Sequence, residues 1–277
     1  MSSASRISQR GVPSVVRRVL HSGRAWTIQG IGTLLFLALA YAWLWIHEAR
    51  WLQLAGSFLL ALFLAYLAVF LQRSALRIFR RERLSELGLK PASARARPVR
   101  QWLPGAVLVF FLFAALAGMA CKLHAELPDA AQSAASWLTL HLRRPVDPDR
   151  LTQRVQAAEF VGAWFAFVVL WLPLAAAALV GESELWGVAM RAWRSLRYWL
   201  ATLVCAVVGH TAFWKLAEWV PKAKGIAMET ASMLARFAVG YVIALGAWLV
   251  ILALVEEAIA APQRSPDDTW DGTERPY

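Results

Sequence analysis

His210, Lys215, Glu218 and Arg236 are the residues through which this sequence could do chemistry inside a membrane. His210 stands near the middle of the run Tyr198–Val220, YWLATLVCAVVGHTAFWKLAEWV, whose first 17 residues contain no Asp, Glu, Lys or Arg. An ionisable side chain at mid-bilayer is costly to insert, so its default reading is functional: a proton relay, or a contact for a solute. One helical turn on come Trp214 and Lys215, then Glu218. Lys215 and Glu218 stand three apart and can pair on a helix. Arg236 enters the next apolar run from the same side, so Glu218 has two candidate cations. Together the four predict a polar pocket between the fifth and sixth apolar runs. A plainer expectation stands beside it and is favoured. His210 hydrogen-bonds a neighbouring helix, Lys215 and Arg236 reach to the interface, and Glu218 neutralises one of them. One histidine with no second histidine or carboxylate at depth makes a thin proton relay.

The rest of the chain is less equipped. His21, His47, His124 and His141 fall between apolar runs and are too scattered to argue a metal site. Cys121 and Cys205 lie inside apolar runs at different expected depths, too far apart for a disulfide, and read as small packing residues. No Gly-rich phosphate loop and no metal-ligand spacing is present. No catalytic residue, metal or cofactor is therefore assigned from sequence. Pro173 sits inside an apolar run, where it should kink the helix and free one carbonyl of the preceding turn.

The elements that would position these groups are set by composition. The chain has 277 residues, 59% of them hydrophobic, with a mean hydropathy of +0.48. The apolar residues fall in blocks of about 20, the length a helix needs to cross a hydrocarbon core. In that medium every backbone polar group must be satisfied within its own segment, so the blocks should be helices. The fold class expected is all-α: a polytopic integral membrane helical bundle of six transmembrane helices, with a surface helix before the fifth. The spans are about 26–46, 51–71, 102–121, 160–180, 198–220 and 237–255. They form a membrane domain over 26–260, between a basic N-terminal tail, 1–25, and a polar C-terminal tail, 261–277, expected to be disordered.

Several local features refine this outline. Val12, Val15, Val16, Val19 and Leu20 share one face, which suggests a basic amphipathic helix on the membrane surface or a plain disordered tail. Ala38-Leu39-Ala40 could imitate a signal cleavage site, but the long basic lead and the continuing YAWLWI favour an uncleaved first span. Residues 73–87 read as a helix with Leu76, Phe79 and Leu87 near one face, ended by Gly88 and Pro91. Asp129 can cap a helix over 130–142. Asp147-Pro148-Asp149 is a second start, with Asp147 as N-cap and Pro148 at the first helical position. Residues 182–197 read as an amphipathic surface helix with Leu185, Val188, Ala189, Ala192 and Leu196 on one face. Glu256 and Glu257 are expected to pair with arginines of Arg77–Arg83 or Arg191–Arg197. Small residues at four-residue spacing could be helix contacts: Ser57, Ala61 and Ala65; Ala114 and Gly118; Gly240 and Ala244.

The formal net charge of +11 would suggest nucleic acid in a soluble protein. Here arginines flanking spans set topology and meet anionic lipid, so no nucleic-acid partner is expected. The side holding the N-terminus carries 17 Lys/Arg in its short segments, against eight on the other. Both termini are therefore expected in the cytoplasm, with the bundle in the cell (inner) membrane. The expected partners are the lipid bilayer, including anionic lipids, and a membrane-protein partner or a second copy of the chain. Residues 181–220, with WGVAMRAWRSLRYWL before a span, resemble membrane domains of bacterial multi-pass proteins, including those found beside glycerophosphodiester phosphodiesterases. The resemblance is one of architecture and implies no activity. The expected function is a non-enzymatic structural, accessory or partner-binding membrane bundle. The alternative is a transporter or permease subunit with its polar site at the fifth and sixth spans. A membrane enzyme acting on lipid or isoprenoid ranks last, because its carboxylates, histidines and arginines are dispersed.

Overall fold

A computed structural model describes residues 12–46, 50–86, 99–180, 185–219 and 225–260. Among these residues the secondary structure is helical, with no strand. Nine α-helices follow in order: α1 (Val12–His21), α2 (Gly23–Leu44), α3 (Trp51–Glu86), α4 (Val99–Leu142), α5 (Pro148–Phe165), α6 (Leu172–Val180), α7 (Leu185–Trp193), α8 (Leu196–Glu218) and α9 (Ile226–Ile259). A six-residue π-helical segment, Ala166–Trp171, joins α5 to α6. Six helices are long and apolar enough to cross a membrane, with α5, the π segment and α6 counting as one. The fold is an all-α helical bundle.

Several helices overrun the spans read from sequence. α3 has 36 residues, so the second span and the basic helix after it are one rod. At 1.5 Å per residue it is about 54 Å long, against a hydrocarbon core of about 30 Å. Its basic end buries Leu76 and Phe79, the face expected; Leu87, Gly88 and Pro91 lie outside the described residues. α4 runs unbroken for 44 residues through Pro128. Asp129 is therefore inside a helix and does not cap a new one. The reason is tertiary. Leu127, Ala131 and Ala135 fall on one face and are buried, and α4 packs antiparallel to α5. That packing outweighs the single backbone bond lost at Pro128. α5 starts as expected: Asp147 caps it, accepting from the Asp149 and Arg150 amides at 3.0 and 3.4 Å. α4 and α5 thus make a two-helix arm beyond the third and fourth spans.

The bundle is organised around α9, which touches α1, α2, α3, α6, α7 and α8. From Leu249 to Glu256 every residue of α9 is buried. The facing layer is Leu172 to Leu179, which is alanine-rich and buried but for Leu174, so the helices can approach closely. α8 and α9 form the tightest hairpin. A Cβ on Gly209 would sit 3.1 Å from the Ala247 Cβ, and one on Gly240 would sit 2.9 Å from the Phe213 ring. The Gly240–Ala244 spacing is therefore a helix contact. Ala114 and Gly118 are not one within the chain: both are exposed, and nothing lies within 4 Å of a Cβ placed on Gly118.

The N-terminal amphipathic helix packs into the bundle. Val15 and Val19 of α1 are buried, and the helix packs on α9. Its apolar face meets a protein groove that no sequence pattern announces. The Trp26 indole donates to the Val19 carbonyl at 3.0 Å and closes the corner between α1 and α2.

Candidate functional site

The region around His210 is built on a defect in the fourth span. Pro173 has no N–H, so it cannot satisfy the carbonyl four residues back, that of Val169. The Trp193 indole Nε1 donates to this carbonyl at 2.9 Å. The Tyr198 hydroxyl donates to the neighbouring Val168 carbonyl at 2.7 Å. The Trp199 indole donates to the Trp193 carbonyl at 2.7 Å. The freed backbone of the π segment is thus satisfied by aromatic donors from α7 and the start of α8. Pi-helical turns of this kind recur at functional sites. The surface helix before the fifth span is fixed by this exchange, and by the buried face Val188, Ala189 and Ala192.

His210, on α8, borders two grooves. One groove, of about 290 Å³, lies between the π segment and α8 and is lined by Phe165, Val168, Val169, Thr202, His210 and Thr211 among others. A second, of about 170 Å³, lies between α8 and α9 and includes His210, Gly209, Phe213, Ala244 and Trp248. The imidazole stacks toward Trp214 with ring centroids 6.2 Å apart. His210 therefore stands at an exposed edge of α8 where two apolar grooves meet.

The other three residues are elsewhere. Glu218 is engaged on both oxygens: Trp214 Nε1 donates to Oε1 at 2.5 Å, and Lys215 Nζ lies 3.6 Å from Oε2. Arg236 donates to the Ser232 carbonyl on its own helix at 3.2 Å and to the Leu216 carbonyl of α8 at 3.4 Å. Of the two cations open to Glu218 in the sequence, it pairs with Lys215, and Arg236 clips α9 to α8. Neither groove at His210 is lined by Lys215, Glu218 or Arg236. Both cysteines are free thiols. Among the described residues no group of three or more His, Cys, Asp or Glu is placed to hold a metal ion.

The densest polar constellation is at the opposite end of the bundle, and the sequence reading did not assemble it. Arg18 of α1 pairs with Glu86 of α3 at 3.1 Å through Nε, with Nη2 donating to the second oxygen at 3.2 Å. The Ser22 hydroxyl donates to Glu82 at 2.5 Å. Arg83 lies 3.4 Å from Glu256 of α9, whose side chain is only 3% exposed. Arg83 also donates to the Ala260 carbonyl at 3.4 Å. The pairing of Glu256 with the Arg77–Arg83 stretch was legible. The Arg18 and Ser22 contacts had one signal: Glu82 and Glu86 on α3 are an i,i+4 pair, and helical side chains four apart share a face; Arg18 near the end of α1 and Ser22 at the corner before α2 meet that face.

No family model, no curated protein and no solved structure matches this chain. Fold and site together define a helical membrane-type bundle whose deep polar groups are dispersed and whose charges converge at one end.

Proposed function

We propose that this protein is a non-enzymatic membrane bundle that serves as an accessory or partner-binding subunit. It would lie in the cell (inner) membrane with both termini cytoplasmic. The Lys/Arg asymmetry supports that orientation, and it puts the Arg18, Arg83, Glu86 and Glu256 cluster on the cytoplasmic side. The observation that carries the reading is where the charges go. Arg18, Arg83, Glu86 and Glu256 tie α1, α3 and α9 to one another, while Lys215, Glu218 and Arg236 tie α8 to itself and to α9. These groups hold helices together and are not gathered around one cavity. The partner surface is supplied by the arm of α4 and α5, where Trp137, Leu140 and Leu142 are exposed at the tip. Exposed apolar residues of this size on a rigid arm suit contact with another membrane protein or a second copy of the chain.

The test is purification from native membranes in mild detergent, with mass spectrometry of bound proteins. A protein or second copy at fixed stoichiometry, lost in a Trp137→Ser, Leu140→Ser double variant, supports the reading. A water-soluble solute retained in place of any protein, and lost in His210→Ala, overturns it in favour of a transporter subunit. One observation favours that second reading: the π segment, where winding can change, faces His210 across a single groove.

A further inference from the structure

α8 carries an unbroken row of exposed residues at the spacing of a coiled-coil seam. Leu196, Leu200, Leu203, Val207, His210, Trp214 and Ala217 stand alternately four and three residues apart, and all seven are exposed. The five large apolar members are between 45% and 71% exposed. Alternating fours and threes keep side chains on one face of a helix, and two such faces interdigitate along their whole length. α9 packs on another side of α8, against Gly209 and Phe213. The row is therefore left over after the chain has made its own contacts. From Leu196 to Ala217 it rises about 32 Å at 1.5 Å per residue, against a hydrocarbon core of about 30 Å. It is as long as a membrane is deep.

One ionisable residue stands in this row. His210 lies eight residues before the end of α8 at Glu218, about 12 Å along the axis. An imidazole turned to acyl chains at that depth is costly, and lipid tails offer it no hydrogen bond. A second copy of the same face does. Two copies in one membrane share their topology, so their α8 helices run parallel, and a two-fold axis sets like residues opposite each other. Lysine or glutamate is poorly matched by its own copy. A neutral imidazole is well matched, because it has one donor and one acceptor nitrogen. A bond made by one nitrogen within the chain leaves the other for the partner. Thr211, exposed beside it, has a hydroxyl that both donates and accepts. Nearer the end of α8, Lys215 and Glu218 neutralise each other, so they bring no net charge to the face. A lone polar residue in an apolar seam is a known means of fixing register and strand number. Leu203, Val207 and His210 also wall the groove beside the π segment, with Val161 and Phe165. That groove leaves a hollow along one flank of the seam for a partner's side chains.

We propose that α8 is the interface of a parallel homodimer, with this row as its seam and His210 of each copy meeting the other as its deep polar contact. The inference rests on the reading of the chain as a partner-binding bundle. It adds a surface distinct from the arm of α4 and α5, and its occupant is a second copy of the chain.

The test is oxidative cross-linking of the full-length chain in native membranes, read on non-reducing gels. Cys121→Ala and Cys205→Ala remove the free thiols, and one cysteine is then placed at Leu203, Val207, Val208 or Trp137. All four positions are exposed, so the substitutions leave the packing intact. Leu203→Cys and Val207→Cys are expected to give at least about fivefold more covalent dimer than Val208→Cys, which points about 100° round the helix from Val207. His210→Leu added to Val207→Cys should lower the dimer yield about three- to tenfold, as loss of an interhelical hydrogen bond in a membrane does. Equal yields at Leu203, Val207 and Val208 indicate random collision and overturn the proposal. An unchanged yield with His210→Leu overturns it too, as does an adduct of Val207→Cys with a different protein. Dimer through Trp137→Cys alone overturns this interface and leaves the partner-binding reading standing. No adduct at any position, with no protein co-purifying, sinks both.

Discussion

Replacing Glu256 by glutamine removes one charge from a buried ion pair of the bundle and leaves its shape. Glu256 is 3% exposed and Arg83 15% exposed, with Nε and Oε2 3.4 Å apart. At an effective dielectric constant of about 20, unit charges at that distance attract by about 5 kcal/mol. Arg18 and Arg80 add to the positive field at the carboxylate, and Glu257 opposes it. Removing one partner of a buried pair costs about 3–5 kcal/mol, because the other charge remains desolvated. Arg83 keeps its bond to the Ala260 carbonyl, so the lower figure, about 3 kcal/mol, is expected for Glu256→Gln. Arg83→Met should cost a similar amount. The double variant has no charge left to strand, and neutral replacement of a buried pair is often near neutral. It should therefore be more stable than the two single losses added together by at least about 2 kcal/mol. The assay is equilibrium unfolding in mixed micelles, followed by tryptophan fluorescence. Additive losses in the double variant, or single losses below about 1 kcal/mol, would refute the view that this pair locks α3 to α9.

Three further outcomes follow from the same contacts. Gln29 is buried and donates to the Leu71 carbonyl at 2.5 Å; that carbonyl also accepts from the Ser74 hydroxyl at 2.7 Å, so Gln29→Leu should cost only about 1 kcal/mol, the net worth of one lost bond, measured by the same unfolding. Trp193→Phe should cost about 1 kcal/mol through the lost bond to Val169. In a Pro173→Ala background, where a new amide N–H can take that carbonyl, the cost should vanish; an unchanged cost in both backgrounds would count against the exchange. Gly209→Leu should destabilise the α8–α9 hairpin by about 1–3 kcal/mol, while Gly118→Leu, into open space, should move the transition by less than about 0.5 kcal/mol; equal effects would contradict the packing.

The sequence by itself determined the class of fold and where the apolar runs become helical, though not where each helix ends. Blocks of about 20 apolar residues must be helical in a medium without water, because no other local structure satisfies the backbone there. The start at Asp147 and the opening of the fourth span at Pro173 were legible for the same reason: each depends on a neighbour within four residues. The pairing of Lys215 with Glu218 was legible too, since three residues on a helix fix the geometry.

What only the tertiary structure decided is which faces meet. The same small-residue spacing occurs at Ala114–Gly118 and at Gly240–Ala244, yet the first is exposed and the second lies against Phe213. Periodicity defines a stripe but not its partner. α1 has the pattern of a surface helix, and its Val15 and Val19 face is buried because the helix packs on α9, with Arg18 paired to Glu86 of α3. Asp129 has the chemistry of a cap, and packing of Leu127, Ala131 and Ala135 on α5 carries the helix past it. His210 was expected at depth, with Lys215, Glu218 and Arg236 at the interface as the favoured reading and a pocket shared by all four as the alternative. The structure puts it at the meeting of two apolar grooves and sends the other three to bonds at the far end of α8 and α9. Depth follows from position in the chain; what a side chain faces follows from how the helices are rotated against each other, and that rotation is set by packing among segments far apart in sequence.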